Sequence, residues 1–223
     1  MENSTVIALS GGLDSCTLLS ILMDSMYHQP VNIRCVGFEY GSKHNKYEIE
    51  AAEKIAKHFE VEYTLIDLRP VSKILNSNLL LSGGEIPEGH YNDETMSQTV
   101  VPGRNMLFAS VLAGYAESIG FDTIALGVHK GDESNYPDCR KEFIKALDSC
   151  IYLSTDKSVE VYAPLIDMDK TEIVEEGLEL ESPYHLTRSC YKDQEISCGR
   201  CSTCVQRLEA FENNKTKDPI KYE

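Results

Sequence analysis

Ser10-Gly11-Gly12-Leu13-Asp14-Ser15 follows directly on the apolar run Val6-Ile7-Ala8-Leu9, an order that reads as a strand running into an anion-gripping turn. Adjacent glycines let the backbone come close to an anion, and Ser10 and Ser15 add hydroxyl groups around it. Leu18, Leu19, Ile21 and Leu22 recur at helical spacing, which sets a helix N-terminus with free N–H groups at the end of the turn. A kinase-type loop requires GxxxxGK[ST], and this turn has no lysine. Binding of ATP through a pyrophosphate-like group is therefore favoured over simple γ-phosphoryl transfer. The plain alternative is a serine-capped helix start.

The second group with chemistry is Cys190, Cys198, Cys201 and Cys204, spaced C-x7-C-x2-C-x2-C with Gly199 inside the turn. Four thiolates so spaced can close a tetrahedral zinc site. The ferredoxin run C-x2-C-x2-C-x3-C-P differs in spacing and in its proline, so zinc is favoured over an iron–sulfur cluster. A closed site leaves no open position for chemistry, and its expected role is a structural staple. Cys16, Cys35, Cys139 and Cys150 read as buried small hydrophobes.

These groups need a scaffold, and the first half of the chain supplies one by alternation. Strands are predicted over Val6–Leu9, Ile33–Phe38 and Tyr63–Leu68, with helices over Asp14–Met26 and Asn45–Phe59. Residues 69–99 lose periodicity and carry Gly83, Gly84, Pro87 and Gly89, which suggests a long irregular segment able to act as a lid. Helical spacing returns over Asn105–Ile119 and Phe143–Leu153, with strands at Thr123–Leu126 and Val159–Ala163. The acidic run Glu172, Glu175, Glu176, Glu179, Glu181 reads as solvated helix surface. The predicted fold class is α/β, a Rossmann-like doubly wound parallel sheet with ligands at the carboxyl ends of its strands. A nucleotide-binding domain is expected over 1–175, and a small zinc-stapled helical segment over 176–223 packed on it.

A net charge of −15 over 223 residues opposes nonspecific attraction to a nucleic-acid backbone, so no direct nucleic-acid partner is expected. No leader and no bilayer-length apolar run is legible, which makes the cytoplasm the expected location and leaves no membrane role.

Several segments together resemble the 7-cyano-7-deazaguanine synthases, a branch of the PP-loop ATP pyrophosphatases in queuosine and archaeosine precursor synthesis. They are Ser10–Ser15, Phe38-Glu39-Tyr40 before Lys43-His44, Thr99-Val100-Val101-Pro102-Gly103-Arg104-Asn105, and Tyr136-Pro137-Asp138-Cys139-Arg140. Pro164-Leu165, Lys170, Ser189-Cys190-Tyr191, the later cysteines and Arg207 extend the likeness to nearly the whole chain.

The resemblance implies an ATP-dependent, cytoplasmic, zinc-binding homodimer. It would turn 7-carboxy-7-deazaguanine and ammonia into the nitrile through adenylated intermediates and an amide, with Mg2+ accompanying the nucleotide. On that reading Leu9, Ser10, Gly11, Gly12, Leu13, Asp14, Ser15, Cys16, Thr17, Leu18 and Leu19 hold the nucleotide. Asp14, Lys43, Arg104 and Arg140 are the catalytic candidates. Arg104, Asn105, Asp132, Tyr136, Asp138, Arg140 and Lys170 are the candidates for holding the deazaguanine.

The plainer readings are that Arg104-Asn105 opens a helix, Asp138 caps the helix after it, and Lys170 stands on the surface. His44 could shuttle protons or pack in a loop, and the other histidines read as structural. The nearest alternative function passes the activated carboxylate to another amine, such as one on a protein. Direct tRNA modification is a further enzyme alternative, and from another class stands an ATP- and zinc-dependent binding module without turnover.

Overall fold

In a computed structural model, residues 4–24, 32–88 and 94–223 are described. Five parallel strands form one sheet: β1 (Ser4–Ala8), β2 (Asn32–Glu39), β3 (Glu62–Asp67), β4 (Thr123–Ala125) and β5 (Glu160–Tyr162), in the order β3-β2-β1-β4-β5. Side chains alternate along each strand and so build two cores. Val6, Val36 and Ile124 face one, and Ile7, Cys35 and Ala125 face the other. Both faces are apolar because helices cover both, as a parallel sheet requires.

On the Ile7 face lie α1 (Leu13–Met23), α2 (Asn45–His58), α6 (Lys170–Glu179) and α7 (Ser202–Asn213). The Val6 face carries α4 (Arg104–Ser118) and α5 (Lys141–Ser154). A short helix, α3 (Arg69–Ser72), follows β3. Chain order runs outward from β1 to β2 and β3, then restarts at β4 on the other side of β1. The carboxyl ends of β1 and β4 therefore flank the switch point where this class of sheet opens a ligand crevice.

The doubly wound parallel sheet matches the sequence expectation, with strand and helix ends shifted by a few residues. α1 ends at Met23 with Asp24 as its C-cap, and the predicted continuation to Met26 lies outside the described residues. Helix α6 is continuous across position 175, and its Ile173 and Val174 share a core with α1 and with Ala210 and Phe211 of α7. Within the irregular stretch, Leu79, Leu80 and Met96 are buried. The backbone there is tied down by Lys43 N to Leu79 O and Leu81 N to Gly41 O, both 2.9 Å. Gly89 lies outside the described residues. Among the described residues, no helix is long and apolar enough to cross a membrane.

Candidate functional site

The turn after β1 is held from three sides. Leu9 N extends the ladder to Val36 O at 2.9 Å, and Gly11 O accepts from Arg188 N at 2.9 Å. Gly11 sits at φ +85, and a Cβ there would meet the α2 backbone, 2.3 Å from Glu48 O and 2.8 Å from Ala52 N. The hydroxyls of Ser10 and Ser15 lie 3.1 Å apart, and Gly12 N donates to Ser10 Oγ at 3.2 Å. Gly12 is the N-cap of α1 and brings no capping side chain, so the first-turn N–H groups stay available to an anion. Leu9, Ser10, Gly12, Leu13, Asp14 and Ser15 line the main cavity. Gly11, Cys16, Thr17, Leu18 and Leu19 do not line it; the last four lie on α1 and are fully buried, and burial pushes the Cys16 thiol up to about 12.

From the carboxyl end of β4 comes His129, and from the start of α6 comes Lys170, whose helix opens on an Asp169–Glu172 capping box. Lys170 Nζ donates to Asp14 Oδ1 at 2.5 Å and lies 3.0 Å from His129 Nε2. His129 Nε2 is also 3.7 Å from Asp14 Oδ2 and 3.5 Å from Asp132 Oδ2. Its Nδ1 accepts from Gly131 N at 3.1 Å, so both ring nitrogens are engaged by neighbouring groups. Burial pushes the Asp14 carboxyl up, but Lys170 and then His129 outweigh it and hold it below the usual carboxylate range. A group lowered in this way adds stability above its unfolded pKa and loses it as the pH falls through the native value.

Opposite stands the start of α4. Asp138 Oδ2 accepts from Asn105 N at 2.9 Å, and Asn105 Nδ2 donates to Asp138 O at 3.0 Å. Asp138 thus caps α4 across the chain rather than the helix that follows it. Arg104 lies 6.0 Å from the Tyr136 ring centroid and electrostatically faces Tyr40 and Tyr191 as well. Tyr136 is buried, with its hydroxyl 2.8 Å from Thr99 Oγ1. Arg104, Asn105, Asp132 and Lys170 line the same cavity as the turn, while Tyr136 and Asp138 are not on its wall.

Two candidates are not brought to it. The Lys43 ammonium donates to the carbonyls of Asn78 at 2.9 Å, Gly83 at 3.3 Å and Gly84, a cation spent on closing a loop. Arg140 donates from Nε to Glu133 O at 3.1 Å in an exposed contact.

His44, Arg188, Tyr191 and His129 also line the cavity, and the sequence assigns none of them a place there. For His44 it leaves proton shuttling and loop packing both open. It is 1% exposed, with Nε2 3.3 Å from Glu48 Oε2 and its ring 5.0 Å from that of Tyr191. Arg188 donates to the carbonyls of Glu195, Lys192 and Gln194 at 3.1, 2.8 and 2.6 Å, so it ties the cysteine-bearing loop to the turn after β1.

The sulfurs of Cys190, Cys198, Cys201 and Cys204 are buried and lie within 4.8 Å of one another. Gly199 takes φ +69 between the second and third ligand. Cys190 Sγ accepts from Cys198 N at 3.4 Å and Cys198 Sγ from Cys201 N at 3.3 Å. Backbone N–H groups aimed at sulfur stabilise thiolates, so the donor set fits a metal ion of the zinc or iron–sulfur kind. Cys201→Ala should weaken metal binding by more than the ~100-fold that loss of an outer hydrogen-bond partner costs. Metal content by mass spectrometry and the yield of folded protein check this, and a stable, metal-loaded variant would contradict it.

The family described as "Queuosine biosynthesis protein QueC" matches residues 4–215. A protein of Caldicellulosiruptor bescii named 7-cyano-7-deazaguanine synthase is 44% identical over 218 residues, 98% of this chain and 96% of its own length. An Archaeoglobus fulgidus protein of the same name is 44% identical over 96% of this chain and 88% of its own. Among solved structures, the U34-tRNA thiolase NcsA of Methanococcus maripaludis, with its [4Fe-4S] cluster, aligns at TM-score 0.55 and 20% identity. That alignment covers 96% of this chain and 67% of the thiolase, and shows a shared fold. With its match running from β1 to beyond α7, the chain belongs to the queuosine biosynthesis protein QueC family.

Proposed function

We propose that the chain is a 7-cyano-7-deazaguanine synthase, converting 7-carboxy-7-deazaguanine and ammonia to the nitrile at the expense of ATP. The observation that carries this reading is one cavity with two unlike walls: a glycine turn feeding the N-terminus of α1, and the Arg104–Asn105 start of α4. The first suits departing pyrophosphate. The second suits a flat, polar heterocycle with a carboxylate, since a guanidinium fork matches carboxylate geometry. The reading also includes a cytoplasmic location and a homodimeric state, which follow from the resemblance.

Each oxygen of the carboxylate is a poor leaving group and must be activated. Attack of a carboxylate oxygen on the α-phosphorus of ATP expels pyrophosphate toward the α1 amides, Ser10 and Ser15. Ammonia then attacks the acyl carbon, and AMP leaves with one oxygen and one proton is released. A second adenylation, on the amide oxygen, sets up loss of AMP and the remaining two nitrogen protons to give the nitrile. Preorganised donors dominate catalysis of this type. Of the cavity-wall carboxylates Asp14, Asp132 and Glu48, the two aspartates would hold Mg2+, which would neutralise the phosphates. Zinc in the four-cysteine site is proposed as structural.

Incubation of the purified chain with ATP, 7-carboxy-7-deazaguanine and ammonium, followed by mass spectrometry, should show the nitrile; its absence would reject the reading. Asp14→Ala removes the carboxylate that Lys170 Nζ and His129 Nε2 both approach. It is expected to lower pyrophosphate release by at least ~100-fold with the metal content of the cysteine site unchanged, and a wild-type release rate would sink this assignment.

A further inference from the structure

We propose that His44 is the acceptor of the proton that ammonia must lose as it becomes the amide nitrogen; this rests on the reading above. The two cavity-lining histidines differ in where their lone pairs go. His129 has both ring nitrogens engaged, Nδ1 by Gly131 N–H at 3.1 Å and Nε2 by the Lys170 ammonium at 3.0 Å. His44 is held differently. Its Nε2 faces Glu48 Oε2 at 3.3 Å, which fixes the proton on Nε2, and its buried Nδ1 has no hydrogen-bond partner among the described residues. A shielded imidazole nitrogen with an unspent lone pair, backed by a carboxylate, is the arrangement of a general base.

Position agrees with the role. His44 lines the cavity that also holds Arg104 and the Ser10–Ser15 turn, while its ring is fixed against Tyr191 at 5.0 Å. The other charged and titratable side chains on the cavity wall are Asp14, Asp132, His129, Cys139 and Lys170 around the turn, Arg188, Tyr191 and Arg207 of the C-terminal segment, and Tyr40, Glu48, Tyr63 and Arg104. Glu48 serves as the positioning partner of Nε2. The step balances simply. The new C–N bond forms, the C–O bond to AMP breaks with its electron pair, and one proton moves from nitrogen to Nδ1.

The test separates activation from nitrogen transfer. ATP–pyrophosphate exchange that depends on 7-carboxy-7-deazaguanine, measured without ammonia, reports adenylation; amide and nitrile measured with ammonium report transfer. His44→Asn and His44→Gln should keep exchange within about twofold of wild type and lose amide formation by ~100-fold or more. Glu48→Gln, which leaves the imidazole in place and removes only the charge behind Nε2, should lower transfer less than either His44 variant and leave exchange unchanged.

In the unmodified protein, 15N-histidine NMR should show His44 as the Nε2–H tautomer, a readout that stands even where a variant does not fold. A protonated Nδ1, amide formation at the wild-type rate, or equal loss of exchange and transfer would overturn the assignment. Absence of exchange in the wild type would instead reject the function on which it rests.

Discussion

Gly11→Ala should abolish turnover and destabilise the protein, whereas Gly12→Ala, one residue on, should do neither. Gly11 combines two constraints. Its φ of +85 costs an L side chain on the order of 1–2 kcal/mol. The added Cβ would also lie 2.3 Å from Glu48 O and 2.8 Å from Ala52 N, backbone atoms of α2 that cannot swing aside. Relief requires moving the turn or the helix, at a further ~1–3 kcal/mol. Moving the turn misplaces the first N–H groups of α1, and an error of about an ångström there costs on the order of 100-fold in rate. At Gly12, φ is −74, ordinary for any residue. Its Cβ would meet Ser10 Oγ at 3.2 Å and next Arg188 O at 3.7 Å, which a small rotation of the serine relieves. Thermal melts and pyrophosphate release measured on both variants check the contrast; equal behaviour of the two would refute it.

That contrast also marks what the sequence could convey. Gly11 and Gly12 are equivalent as letters, and only the packing of α2 on the turn distinguishes them. The sheet was legible because buried parallel strands are short apolar runs and the helices between them repeat at 3.6 residues. The cysteine site was legible because ligand spacing is local. Residues whose roles arise from meetings far apart in the chain were not. Lys170 joins Asp14 across 156 positions, and Arg188 reaches Gly11 O from the far end of the chain. Asp138 was read as a possible cap for the helix beside it, yet it caps α4 at Asn105, 33 positions away. The sequence leaves His44 between proton shuttle and loop packing and His129 as structural, because a histidine's role lies in its burial and tautomer, and neither is encoded nearby.

Asp218→Ala should be the most destabilising single change in the C-terminal segment, although Asp218 neither lines the cavity nor belongs to the cysteine cluster. Arg207 and Asp218 are buried as an ion pair, their side chains 1% and 3% exposed. Arg207 donates to Asp218 through Nε at 2.7 Å and Nη2 at 2.9 Å, and to Thr187 Oγ1 through Nη1 at 2.6 Å. Tyr222 adds its hydroxyl to the same carboxylate at 2.5 Å. Removing the aspartate strands a buried guanidinium, which costs ~3–5 kcal/mol. For a chain of this size that corresponds to a fall of roughly 10 °C in melting temperature.

Replacing both partners by apolar residues, as in Arg207→Met with Asp218→Leu, should recover much of the loss, because the penalty lies in the unpaired charge. A melting temperature for Asp218→Ala within about 2 °C of wild type would refute the argument; that is under 1 kcal/mol at this size. The damage should also reach ATP turnover. Arg207 holds Tyr184 O and Thr187, the next residue is Arg188, and its N–H holds Gly11 O. By this route the C-terminal segment acts as the clamp on the turn after β1, and its cysteine cluster and ion pair are two fasteners of one strap.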